Sequence, residues 1–136
     1  MKVQYLTYLA LLIPGAGIIC AAELPAPVTE AFDSYTALPS VLVPILEKAH
    51  DKESATSAAV ELRAALPSIF RTRESLHKMP TLTPEQNQLV RTQYGQRMRE
   101  EWAKMYEQIA RVRQANCFKS VELAQAFRLM CMMIEK

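Results

Sequence analysis

The chain has 136 residues, 16 of them Lys or Arg and 14 Asp or Glu, for a formal net charge of +2. That length suits one small domain, and the near balance of charge excludes a dedicated nucleic-acid surface, which carries a strong positive excess. With 3 glycines in all and few β-branched residues after the first stretch, the chain also lacks the turn-rich segments that join β-strands.

The first element is a leader. Met1 and Lys2 open it, an apolar run follows from Val3 to Ile19, and Cys20-Ala21-Ala22 precedes Glu23. A charged start, an apolar centre and small residues at the end are the layout of a secretory signal peptide. Pro14, Gly15 and Gly17 interrupt the run, whereas a membrane-spanning helix wants about 20 apolar residues without such breaks. The reading is export, to the periplasm or beyond, with cleavage after Ala22. Two alternatives put the protein on a membrane: retention of the leader as an anchor, or lipidation of Cys20. Against the second, Ile19 and Gly17 stand where a lipobox has a small residue and leucine. Cleavage removes only Lys2 from the charge count and leaves one helical domain from Glu23 to Lys136.

Glu23 to Val28 holds two prolines and reads as an extended lead-in. A helix is expected from about Thr29 to Leu38. Leu38-Pro39-Ser40 should end it, because a residue before proline avoids the helical region. Ser40 then looks like the N-cap of a second helix from Val41 to His50, with Pro44 near its first turn. Asp51-Lys52-Glu53-Ser54 is a polar break, in which Asp51 or Ser54 can cap the next helix. Ala55, Ala58, Ala59, Leu62, Leu66 and Ile69 recur at helical spacing, with Phe70 and Leu76 further on, down to about Lys78. Pro67 predicts a kink.

Met79-Pro80-Thr81-Leu82 is the clearest loop. Thr83, Pro84 and Gln86 then form a capping box with proline at the first helical position. The helix they open should run to about Ala115, roughly 48 Å. Its apolar line is Val90, Tyr94, Met98, Trp102, Met105, Ile109 and Val112, which places Tyr94 and Trp102 in the core. A helix that long has to lie against the others. Ser120 caps a last helix lined by Leu123, Phe127, Met130 and Ile134. The fold expected is all-α: an elongated antiparallel helical hairpin or bundle of three to five helices.

Cys117 and Cys131 are an even pair for an oxidising compartment. On one helix they would be about 21 Å apart, against the roughly 4.4–6.8 Å between Cα atoms that a disulfide needs. Two buried thiols are expected. His50 and His77 should sit at helix C-termini, where a positive ring suits the dipole, rather than bind metal. Met130-Cys131-Met132-Met133 could offer soft donors to Cu(I), but a Met stripe at helical spacing reads first as core filler. No nucleophile motif and no pair of carboxylates at catalytic spacing is visible. The chain is therefore read as a non-enzyme without catalytic residues, cofactor or metal.

The long helix carries the candidate site. Arg91, Arg97, Arg99, Lys104, Tyr106, Arg111 and Arg113 form a basic and aromatic set of the kind enriched at protein interfaces. The competing reading is a solvated face, on which Glu100–Lys104 and Glu107–Arg111 pair at i,i+4.

Leu82-Thr83-Pro84-Glu85-Gln86 resembles the LTxxQ motif of the Spy/CpxP family of small periplasmic helical proteins. The resemblance implies an exported helical protein, often dimeric, that acts as an ATP-independent chaperone or stress sensor. Asp51 to Ala55 with Ala58-Ala59, followed by the long helix, also looks like a set of uncharacterised exported bacterial helical proteins. The expectation is a non-enzymatic binding protein for a protein partner or nonnative client, chaperone-like, with homo-oligomerisation open and no nucleic-acid partner. Its alternative is a structural or assembly component of the cell envelope.

Overall fold

The computed structural model describes residues 23–135; the leader, its cleavage point and Cys20 lie outside the described residues. Four α-helices and no strand are found among the described residues: α1 (Ala26–Glu47), α2 (Lys52–His77), α3 (Pro84–Gln114) and α4 (Val121–Ile134), with a short 3-10 turn at Asn116–Lys119 between the last two. The protein is an all-α bundle, as expected.

Pairs across the bundle give the directions. Phe32 meets Tyr94, Tyr35 meets Trp102, and Arg111 reaches Leu46, so α1 and α3 run the same way. Thr56 meets Ser120 and Arg63 meets Gln125, so α2 and α4 run together. The short link from α1 to α2, spanned by the Lys48–Glu61 pair, makes these two antiparallel. The result is an up-down-up-down four-helix bundle. The main seams join α1 to α2, α1 to α3 and α2 to α4; the backbones of α3 and α4 scarcely approach each other.

The helix starts follow the caps. The Asp51 carboxylate accepts from Ser54 N–H at 2.8 Å, and Ser54 Oγ accepts from Asp51 N–H at 3.0 Å. Thr83 and Gln86 exchange the same two bonds at 3.2 and 3.0 Å. Each box satisfies two N–H groups that a helix start otherwise leaves unpaired. Ser120 Oγ accepts from Leu123 N–H at 3.2 Å and opens α4.

The expected break at Leu38-Pro39-Ser40 is absent. One helix runs from Ala26 to Glu47 through both Pro39 and Pro44, and its start takes in Pro25 and Pro27. Each internal proline forfeits one backbone bond, at a cost of about 3 kcal/mol. Burial outweighs that. Val28, Ala31, Leu42 and Leu46 are fully buried, as is the Pro39 ring itself, and each large apolar side chain contributes about 1.5–3 kcal/mol. α1 packs on two neighbours at once, so breaking it would uncover both seams. Helix α2 likewise continues through Pro67.

The α3–α4 connection holds a feature that spacing does not announce. Asn116, Cys117, Phe118 and Lys119 all have positive φ, between 49° and 60°. Four non-glycine residues in this region form a left-handed turn, which costs about 1–2 kcal/mol per residue. Asn tolerates the conformation best. The others are held by context: Cys117 is buried, Phe118 lies under the Arg111 guanidinium at 5.4 Å, and Ser120 N–H bonds Cys117 C=O at 3.0 Å.

Candidate functional site

The seven residues expected at a partner surface do not form one surface. Arg97, Lys104 and Arg111 recur every seventh position, and so do Arg99, Tyr106 and Arg113. The two rows are two residues out of step, which is about 200° around a helix. They therefore flank α3 on opposite sides, while Arg91 sits apart on the first half of the helix.

Arg111 is an internal clamp. Its guanidinium donates to Leu46 C=O at 2.5 Å and Ala49 C=O at 2.8 Å, and its Nε to Gln108 Oε1 at 2.8 Å. It caps the C-terminal end of α1, where carbonyls lack partners. The expected Glu107–Arg111 and Glu100–Lys104 pairs are not formed. Lys104 turns to Glu101 at 3.2 Å, and Glu100 takes a bond from Gln96 at 2.9 Å. Arg113 meets Glu135 at 3.3 Å. Arg91, Arg97, Arg99 and Tyr106 remain exposed.

The better-built site is a groove of about 350 Å³ to which all four helices contribute. It forms because α4 is short. This helix has 14 residues against 31 in α3, and its end at Met133 and Ile134 leaves the facing surfaces of α1, α2 and α3 uncovered beyond it. Tyr35 and Trp102 stack across the α1–α3 seam with ring centroids 4.6 Å apart, and Phe32 stands beside them. Ile69 and Leu76 face them from α2, and Met98 from α3.

Polar atoms in the groove are few. Trp102 is 5% exposed, and its Nε1, buried beneath the floor rather than open to the groove, has no hydrogen-bond partner, a distinction it shares with Thr36 Oγ1 among the described residues. A buried donor left so costs about 1–3 kcal/mol. Thr72, 6% exposed, adds a hydroxyl. At the rim Arg73 Nε lies 3.4 Å from His77 Nε2, and no carboxylate pairs with Arg73 among the described residues. No Asp or Glu lines the groove. Burial pushes the Tyr35 phenol up, and Tyr106 adds to this, so the group stays a neutral donor.

Sequence patterning placed Trp102 on the buried line, where it is, but gave no sign of the groove. Tyr94 is only partly buried, and Phe70, counted in the apolar stripe of α2, is 51% exposed. Phe70 lies with Leu66, Pro67 and Met133 along a shallow depression between Arg63 and Arg71.

Cys117 and Cys131 are both buried and unbridged. Burial pushes both thiols up, and at Cys131 the Glu135 carboxylate adds to the effect. Met130 and Cys131 are buried, Met133 is partly buried and Met132 is exposed. Among the described residues no group of three His, Cys, Asp or Glu could hold a metal ion, and no helix is long and apolar enough to cross a membrane. Comparison of the chain with family models, curated proteins and solved structures finds no match.

Proposed function

We infer that this is an exported, non-enzymatic binding protein that takes apolar groups of a partner into the groove between its four helices. The single observation that carries the reading is the apolar groove beyond the end of α4, floored by the half-buried Phe32 and Tyr35 over Trp102. Sites of this kind are concave and mostly apolar, with a few placed polar groups. Export rests on the leader, and a chaperone-like role on the LTPEQ motif at Leu82–Gln86.

The partner in this reading is a protein or nonnative client that offers large apolar side chains. A groove of about 350 Å³ has room for single side chains of such a partner. The Phe70 depression extends the contact outward, and its arginines flank the bound chain. The test is suppression of aggregation of a denatured client, followed by light scattering. An equimolar amount of the protein should lower scattering at least twofold, and Phe70→Ser should remove most of that protection. No protection rejects the chaperone role; a stable defined oligomer without protection favours an envelope assembly component.

A further inference from the structure

The walls of the groove are selective in a way its apolar lining alone does not require. The Arg73 guanidinium at the rim can only donate hydrogen bonds. His77 and the Tyr35 and Thr72 hydroxyls can also donate, and among the described residues no carboxylate faces the cavity. A ligand that completes these walls supplies acceptors and negative charge at one end and hydrocarbon at the other. Met98 and Met133, one from α3 and one from α4, give the hydrocarbon part adaptable walls.

We propose that the groove binds a single-chain anionic amphiphile of the fatty-acid class, with its acyl chain between the aromatic floor and the two methionines and its carboxylate at Arg73. This rests on the reading of the groove as a binding site and adds a second class of occupant, a small amphiphile, to the apolar side chains of a protein partner. An ion pair at Arg73 has the partly shielded setting in which a charge-assisted bond is stronger than in open water. Volume supports one chain rather than a two-chain lipid, because the cavity lies at the small end of ligand sites.

The molecule holds its own reporter. Trp102 is the sole tryptophan, so a change in its emission localises binding to the groove. The experiment loads the purified protein with the neutral dye Nile red and titrates in decanoate or decyltrimethylammonium, which share a chain and differ in head charge. Decanoate should displace the dye with saturable change in Trp102 emission, at least tenfold more tightly than the cation, a difference of about 1.4 kcal/mol. Arg73→Gln should erase that preference; its helix content is checked by circular dichroism. Because the head-group comparison is made on the unsubstituted protein, it decides the matter even where the variant does not fold. Equal displacement by both amphiphiles overturns the proposal. So does dye that binds and resists decanoate, although the groove then still stands as an apolar site. If neither dye nor decanoate binds, the groove reading falls with it.

Discussion

Arg111 shows how a residue type can point in two directions. In the chain it is one more basic residue among several on a charged helix. In the fold its guanidinium ties the last turn of α1 to α3 and covers the Phe118 ring of the left-handed turn. Hydrogen bonds to a charged group contribute about 1.5–3 kcal/mol, and the planar fork that reaches two carbonyls at once has no lysine equivalent. Arg111→Ala should therefore destabilise the protein by about 2–3 kcal/mol in urea unfolding, with Arg111→Lys recovering less than half. Arg97, about four turns away on the same flank, is exposed, and its replacement should leave the unfolding midpoint nearly unchanged. Nothing in the local pattern separates the two arginines. The carbonyls that Arg111 caps lie more than 60 residues earlier in the chain.

At the scale of elements, the capping boxes were legible because their chemistry is local. Thr83 and Gln86, or Asp51 and Ser54, need only each other and the chain between them. The break expected at Pro39 was a local inference too, and it failed because the cost of a proline in a helix is settled by what the rest of the helix buries. Helix α3 carries an opposite case in Gly95. It sits in mid-helix, and a Cβ built there would meet only the flexible end of Arg99, at 3.7 Å. Alanine loses less conformational freedom on folding than glycine, so Gly95→Ala should stabilise the protein by about 0.5–1 kcal/mol. The check is a higher melting temperature with unchanged helical content.

At the scale of the molecule, the charge is near balance, and two carboxylates at helix starts, Asp51 and Glu122, give stability an acid dependence. Hydrogen bonds from the Ser54 backbone and hydroxyl hold Asp51 below the usual carboxylate range, with a further contribution from His50. Glu122 is lowered by its own backbone N–H and by the Ser120 hydroxyl. Both carboxylates bind protons less readily folded than unfolded. Their contribution is therefore complete above the ordinary carboxylate range and is lost as the pH falls through their lowered folded values. The melting temperature should be flat near neutrality and drop below about pH 4. Asp51→Asn, which keeps an acceptor at the cap, should make that drop shallower.

Helical character, the caps at Asp51, Thr83 and Ser120 and the apolar lines of α3 and α4 could be read directly from the chain, because each depends on residues three or four apart and on good helix formers. Which helices share a seam could not, since every amphipathic stripe here is compatible with several neighbours. The continuity of α1 through its prolines, the inward turn of Arg111 and the groove around Trp102 all belong to that second kind. Each exists because α1 lies between two partners and α4 stops short of the bundle's far end, relations between segments distant in sequence that only the packed fold establishes.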